Sequence, residues 1–295
     1  MADDSPTMDK IKMDKIKPTL RKWLLERDSD DPPGRTGVLP LGKVGMLAAA
    51  GGVGKTMALC QLAVSVATGE KWLGTYHTPN PGRVALLLGE EDEEEVRRRI
   101  YNASRVMKLG DEARKLVLQN VTAVPLSGTP VALTENDAAG NVQRSAMLEH
   151  LHTKLGSVKD WRLIVLDPLA RWSGSDAEKD NAAATRFLEA VETLTTVDGR
   201  PTVLVAHHTN KDQSDAMAAR GVTGIHDAMR WAAGMLDVKP IEGLPDRVQF
   251  TYAKSNYGPK WPAVVLVRDR ELGGALRLPS EEEREDFFEA AGVLD

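Results

Sequence analysis

The stretch from Val44 to Thr56 limits what this chain can fold into more than any other part of it. A short apolar run leads into Ala49-Ala-Gly-Gly-Val-Gly-Lys-Thr56, and residues with helical character follow. This is the spacing of a phosphate-binding P-loop, with Ala49 where glycine is more usual. Closely spaced glycines let backbone N–H groups turn inward around an anion, and the helix that follows directs its positive end to the same point.

A flexible glycine-rich turn is the alternative explanation of this stretch. The full motif, between a strand-like run and a helix-like run, argues against it. Lys55 is expected to reach the terminal phosphates of a nucleotide, and the Thr56 hydroxyl to coordinate Mg²⁺. The predicted phosphate-binding residues are Ala49, Gly51, Gly52, Val53, Gly54, Lys55, Thr56 and Met57.

Composition narrows the class of protein. With 295 residues, 42% of them hydrophobic, the chain can bury the core of one large α/β domain or two small ones. Its apolar runs are too short to span a membrane, its first residues lack a signal-peptide pattern, and a single cysteine, Cys60, excludes an internal disulfide framework. A cytoplasmic protein is therefore expected. Because the net charge is −5, any binding of nucleic acid must use a local basic surface.

Residues 1–35 are predicted to form an arm outside the main domain. The unit Met-Asp-Lys-Ile-Lys occurs twice, at 8–12 and 13–17, which is too short a duplication for a solenoid repeat. A short helix is expected from Thr19 to Arg27, and the Pro-Pro-Gly segment after it breaks the chain. The arm either docks on a neighbouring subunit or folds back on its own domain, and the sequence favours neither.

The apolar run Val84–Leu88 is typical of a strand buried on both faces, and acidic residues follow it. Asp92 and Glu95 form a capping box for the next helix, so a solvated helix start explains the later part of this acidic run. It does not explain Glu90, which stands at the strand exit, on the edge of a parallel sheet where ligands bind.

The run Arg162–Asp167 is a second strand with an acid at its tip, as in a Walker B strand. Such an ending is common by chance, but a P-loop upstream gives it a function. Asp167 is therefore expected to hold Mg²⁺ and its water shell opposite Thr56.

A further apolar strand, Thr202–Ala206, ends in His207 and His208. Adjacent histidines point to opposite faces of a strand and do not easily chelate one ion, so one of them is expected to contact a γ-phosphate or a water molecule. The polar loop 211–224 follows at the same edge of the sheet, where long loops are commonly functional. A helix is predicted from Asp227 to Met235.

From Leu236 onwards, short strand-like runs alternate with glycine and proline turns, which indicates an antiparallel extension of the sheet. Ser280 and Glu283 are expected to cap a short acidic helix within residues 280–295. No linker divides residues 36–279. The predicted fold is α/β, with a mostly parallel central sheet flanked by helices and a C-terminal antiparallel extension.

The order of these segments resembles the RecA-like P-loop ATPase fold, and more closely the RepA-type hexameric DNA helicases of plasmids and phages. The resemblance covers residues 36–279. It implies ATP and Mg²⁺ as ligands, a homo-oligomeric ring with six subunits, and single-stranded DNA as a partner. In that family the residue that matches Glu90 polarises the attacking water, and Glu91 is the alternative if the register differs by one.

The resemblance also implies roles for residues beyond the central strands. His207 and His208 match a γ-phosphate sensor that leads into a loop facing the pore, and Lys211 in that loop is expected to bind DNA. Arg220 matches a finger that reaches a neighbour's nucleotide, although it can instead cap a loop or pair with an acid. Lys254, in a Lys-x-Asn-Tyr turn, implies a second positive contact in trans.

Three functions remain open at this point. The first is a ring-shaped, ATP-driven translocase on single-stranded DNA, and hence a helicase of plasmid or phage-type replication. The second is a RecA-like recombination mediator whose DNA affinity is controlled by ATP. The third is a regulatory ATPase that acts on a protein partner. The single-domain layout and the RepA-like loops favour the first.

Overall fold

The computed structural model describes residues 20–31, 33–174, 180–209, 225 and 229–290. Within these ranges strands and helices alternate through the first two thirds of the chain, and strands dominate the last third. The strands are β1 (Trp23–Asp30), β2 (Pro33–Pro40), β3 (Val44–Ala50), β4 (Tyr76–His77), β5 (Arg83–Leu88), β6 (Val121–Pro125), β7 (Thr134–Asn136), β8 (Val142–Arg144), β9 (Trp161–Asp167), β10 (Thr202–Thr209), β11 (Trp231–Asp237), β12 (Arg247–Ser255), β13 (Val264–Asp269) and β14 (Ala275–Arg277). The helices are α1 (Lys55–Thr68), α2 (Glu93–Val106), α3 (Asp111–Asn120), α4 (Ala146–Gly156), α5 (Leu169–Trp172), α6 (Asn181–Leu194) and α7 (Glu281–Ala290).

The largest sheet in the described part of the chain has nine strands, in the order β14-β13-β12-β11-β3-β10-β9-β5-β6. The strands from β11 to β6 are parallel to one another, and β12, β13 and β14 add an antiparallel extension. The predicted fold class is therefore confirmed. The strand order places the ends of β3, β10, β9 and β5 side by side, so residues far apart in sequence meet at one edge of the sheet.

Helices cover both faces of the central parallel strands, which explains why these strands read as continuous apolar runs. In β9, Leu163 and Val165 pack with α1, α2 and α3 in one core, and Ile164 and Leu166 pack with α4, α5 and α6 in a second. Alternate residues of one strand thus face opposite layers of helices. The central strands are held rigidly from both sides, and the side chains at their tips inherit that rigidity.

The start of the chain differs from its prediction. A helix was expected from Thr19 to Arg27, but residues 23–30 form β1, which pairs with β2 and with β4 in a three-stranded sheet. Leu24 and Leu25 are both buried, whereas Leu20 is exposed. The helical spacing of apolar residues was misleading because the adjacent strand supplies backbone partners that propensity alone does not reveal.

A second prediction was wrong in the centre of the sheet. The segment from Asp227 to Met235 was expected to be helical, but Trp231–Asp237 is strand β11, which lies between β3 and β12. Its residues Trp231–Met235 are all buried. Its alanines favour a helix by local propensity, but pairing with β3 and burial in the sheet decide for a strand here.

The C-terminal hairpin is joined to the helix that follows the P-loop. The side chain of Gln61, buried in α1, donates from Nε2 to the carbonyl of Leu276 and accepts from its backbone N–H, at 2.7 and 2.8 Å. These two bonds satisfy the backbone N–H and carbonyl groups of Leu276 in the edge strand β14.

The predicted cap of the last helix is also confirmed. Ser280 Oγ accepts a hydrogen bond from the Glu283 N–H, and the Glu283 carboxylate accepts one from the Ser280 N–H.

Candidate nucleotide-binding site

The loop between β3 and α1 has the backbone of a phosphate cradle. Gly52 and Gly54 have φ angles of 87° and 105°, a region that side-chain-bearing residues rarely adopt. A Cβ added at Gly52 meets no atom within 4 Å, so backbone conformation rather than crowding requires glycine there. Helix α1 begins directly after Gly54, so its first N–H groups and its positive dipole end face the same region.

A cavity of about 240 Å³ lies against this loop. Part of its lining comes from the P-loop and the start of α1, and part from α2, the end of β10 and the β13–β14 hairpin. The lining residues are Ala50, Gly52, Gly54, Lys55, Thr56, Met57, Arg99, His208, Arg268, Gly273 and Gly274.

Lys55 is the first residue of α1 and is buried. Burial lowers the pKa of its ammonium group, and the charges of Asp167 and Glu90 act in the opposite direction. Its Nζ lies 3.1 Å from Nδ1 of His208, and His208 Nε2 lies 3.9 Å from Glu90 Oε2. An ammonium group only donates hydrogen bonds, so Nδ1 of His208 is the acceptor. The proton of the neutral His208 ring is then on Nε2, the nitrogen nearest Glu90. Three predicted site residues are therefore neighbours.

Thr56 and Asp167 meet at the same sheet edge. The Thr56 hydroxyl donates to Oδ2 of Asp167 at 2.7 Å, and Asp167 is buried at the tip of β9. A hydroxyl oxygen and a carboxylate oxygen are ligands of the kind that Mg²⁺ prefers. The pair predicted from sequence to hold the metal ion therefore has the chemistry and the proximity for that role.

Glu90 and Glu91 follow β5 but have different surroundings. Glu91 Oε1 pairs with the Arg99 guanidinium at 2.8 Å, and its side chain is largely buried. Burial raises the pKa of the Glu91 carboxyl, and Arg99 opposes that shift. The Glu90 side chain is more than half exposed and faces His208. Within the described part of the chain, Glu91 is held in a close ion pair with an arginine and Glu90 is not.

His207 and His208 differ in the way that the alternation of a strand requires. His207 is buried, whereas nearly half of the His208 side chain is exposed. The pKa of His207 is lowered to about 4, first by burial and then by repulsion from the Lys55 charge and from His208 whenever that ring is protonated. His207 is therefore a neutral imidazole at physiological pH, and the two histidines present different electrostatic properties to the site.

Among the remaining predicted residues, Lys254 does not join this cluster. Lys254 pairs with Ala232, which pairs with Met46, so the register places Lys254 towards the start of β3 and away from the P-loop of its own chain. Lys211 and Arg220 lie outside the described residues.

Arg268 is a member of the site that the sequence analysis did not assign. It lies on β13, and its Nη2 donates to the P-loop carbonyl of Val53 at 3.0 Å and to Asp237 Oδ1 at 2.6 Å. Its Nε is buried and makes no hydrogen bond within the described residues. No local pattern marks this arginine, because only the pairing of β13 in the antiparallel extension brings it to the P-loop.

These features define a P-loop ATPase with a RecA-like fold. A sequence profile of the AAA domain family matches residues 10–214, more than half of the chain, and the chain belongs to that family. Among solved structures, the ATPase domain of G40P is similar, with a TM-score of 0.55 and 14% sequence identity over 81% of this chain and 85% of that one. The resemblance to RecA-like P-loop ATPases stated from the sequence is confirmed.

The neutral state of His207 makes stability depend on pH. Its pKa of about 4 in the folded chain lies below the ordinary 6.5, so between these values the unfolded chain binds a proton that the folded chain does not. The contribution of neutral His207 to the free energy of unfolding is complete above about pH 6.5 and is lost as the pH falls towards 4. We expect wild-type protein to lose roughly 2 kcal/mol of unfolding free energy from this group between about pH 7 and pH 5, measured by urea titration.

In His207→Asn this part of the pH dependence should disappear, although stability at neutral pH is expected to be lower. The matched control is His150→Asn, which changes an exposed histidine on α4. Equal slopes of stability against pH in wild type and His207→Asn would contradict the assignment of a buried neutral imidazole.

Arg268→Ala should weaken nucleotide binding by removing both the guanidinium charge and the hydrogen bond that holds Val53. A hydrogen bond to a charged group contributes about 1.5–3 kcal/mol, so we expect an affinity loss of about 10- to 100-fold, measured by titration with a fluorescent nucleotide. Arg270→Ala is the control, because Arg270 is an exposed arginine of the same hairpin that pairs with Asp246. Wild-type affinity in Arg268→Ala, or an equal loss in Arg270→Ala, would refute this role.

Proposed function

We propose that this protein is an ATP-hydrolysing, ring-forming translocase on single-stranded DNA, and hence a cytoplasmic DNA helicase of plasmid or phage-type replication. The observation that carries the proposal is the chain of contacts from Lys55 through His208 towards Glu90, beside the Thr56–Asp167 pair. Membership of the AAA domain family and the likeness to the ATPase domain of G40P support it. Among the helices of the described residues, none combines the length and the apolar character that a membrane span requires.

In the proposed reaction, the backbone of the P-loop and the Lys55 ammonium bind the phosphates of ATP. Thr56 and Asp167 are the residues that would hold Mg²⁺ and its water shell, and the hydrogen bond between them supports that assignment. The bound ion would supply positive charge at the β- and γ-phosphates. Because Lys55 is buried, its charge acts with little screening by water.

We propose Glu90 as the group that polarises the attacking water. Its carboxylate is exposed and faces His208, whereas the Glu91 carboxylate is engaged by Arg99. His208, in contact with Lys55, would sense the γ-phosphate. Loss of that phosphate would remove negative charge next to Lys55 and so change the contact between Lys55 and His208. His207, at the preceding position of β10, would support this sensor from the buried face.

The proposed ring, with six subunits, accounts for the residues outside the cluster. Arg220 would act on a neighbour's γ-phosphate, and Lys254 would provide a second positive contact in trans, since it does not line the cavity of its own chain. Lys211 would bind DNA from a loop repeated around the ring, which lets an acidic protein present many cations to one strand. Residues 36–279 would work as the ATPase domain together with β1, whose Leu24 and Leu25 are buried in its core, and α7 would follow it as a C-terminal helix.

The test is a strand-displacement assay on a forked duplex, together with ATP turnover measured with and without single-stranded DNA. Wild-type protein should unwind the fork, and its ATPase activity should rise with DNA. Lys55→Ala should abolish both, because the buried phosphate partner is lost. Stimulation without unwinding would point to a recombination mediator, and turnover that does not respond to DNA would point to a regulatory ATPase.

Glu90→Gln should keep nucleotide binding but lower ATP turnover by roughly 10²- to 10⁴-fold, since the amide preserves size and loses the charge that polarises water. The matched control is Glu91→Gln, which removes a carboxylate held by Arg99. Single-turnover ATP hydrolysis at saturating nucleotide separates the effects on binding and chemistry. A larger loss in Glu91→Gln than in Glu90→Gln would transfer the role to Glu91.

A further inference from the structure

An apolar groove of about 660 Å³ lies at the β6 edge of the large sheet. Helices α2 and α3 form its walls, and one face of β6 forms its floor. Two large apolar side chains in its lining are exposed: Tyr101 by 61% and Leu118 by 84%. Groups of exposed apolar side chains of this kind mark interaction surfaces more often than scattered single residues do.

The groove lining has a small excess of positive charge. It contains three arginines, Arg97, Arg105 and Arg114, and one acid, Glu93, which pairs with Arg97, while Asp111 beside the groove pairs with Arg114. Arg105 lies over the Tyr101 ring, with its guanidinium carbon 6.0 Å from the ring centroid. An apolar floor with a basic rim suits an acidic amphipathic helix, whose apolar side chain enters the groove while its carboxylates meet the arginines.

This chain carries an acidic helix with an exposed aromatic side chain at the opposite edge of the same sheet. Helix α7 has the sequence Glu-Glu-Glu-Arg-Glu-Asp-Phe-Phe-Glu-Ala, with six acids and one arginine. Phe287 is buried under Arg247, but the next residue, Phe288, is 52% exposed. Helix α7 follows the edge strand β14 and is fixed to it by the Arg277–Glu283 ion pair.

We propose that α7 of one copy of this chain docks in the α2–α3–β6 groove of the next copy, with Phe288 inserted near Tyr101 and Leu118. The two surfaces are different and lie at opposite sheet edges, so each copy offers one of each and the contact is head-to-tail. Such a contact propagates into a ring or a filament. The inference rests on the assembly included in the proposed function and names the surfaces that form it.

The lysine-rich segment at 8–17 is a less suitable occupant. It contains Lys10, Lys12, Lys15 and Lys17 against two aspartates, so its charge would oppose the arginine rim of the groove. The acidic helix α7 has the complementary sign. Charge complementarity therefore selects α7 of a second copy among the segments of this chain.

The experiment measures the mass of the full-length protein by sedimentation velocity at low and high salt. Wild type should assemble, and the assembly should weaken at high salt because the rim contacts are exposed ion pairs. Leu118→Asp in the groove and Phe288→Asp on α7 should each weaken self-association at least about tenfold, as expected for a central apolar anchor. Leu116→Asp is the control, because Leu116 lies on α3 but outside the groove lining.

Mixing the two variants is the decisive step. Leu118→Asp retains a functional α7, and Phe288→Asp retains a functional groove, so one intact contact remains and the mixture should stop at one-to-one dimers. A monomeric wild type, unchanged assembly of either variant, or mixed assemblies longer than dimers would overturn the proposal. Unchanged assembly of either variant would mean that another segment or another protein fills the groove.

ATP turnover and single-stranded DNA binding of wild type, measured in parallel, keep this inference separate from the proposed function. A wild type that assembles through these surfaces without hydrolysing ATP would refute the proposed function alone. A wild type that unwinds DNA while both variants assemble normally would refute the docking alone.

Discussion

A buried ammonium group is the feature on which the rest of the site depends. Lys55 stands at the first position of α1, where the left-handed glycines of the P-loop turn the chain from strand to helix. Removing a charge from water is costly unless opposite charges compensate it. Asp167 and Glu90 supply that compensation, and His208 accepts a hydrogen bond from the ammonium. Strands β10, β9 and β5 are neighbours in the sheet, so His208, Asp167 and Glu90 at their ends lie close to Lys55.

The two histidines at the end of β10 have different surroundings because successive side chains of a strand point to opposite faces of the sheet. His207 enters the packed interior and is neutral because burial and the nearby Lys55 charge disfavour its protonated form. His208 points to the cavity and contacts Lys55. One histidine is thus buried and uncharged, and the other is a polar group that lines the cavity beside the P-loop.

The antiparallel part of the sheet does more than extend the core. Gln61 ties β14 to α1, and Arg268 ties β13 to the P-loop carbonyl of Val53. The hairpin between these strands lines the cavity through Gly273 and Gly274. The nucleotide cavity is therefore closed on one side by the parallel strands and on the other by the C-terminal hairpin, and the same hairpin leads to α7 at the far edge.

The sequence by itself determined the P-loop, the acid-tipped strand at Asp167 and the fold class, because glycine spacing and continuous apolar runs are local properties. It did not determine that residues 23–30 and 231–237 are strands, since alanine-rich and mixed runs take their structure from the strands beside them. It also gave no sign of Arg268 or of the difference between Glu90 and Glu91. Those depend on the register of β13 and on the position of Arg99, and only the assembled sheet and helices bring such distant side chains into contact.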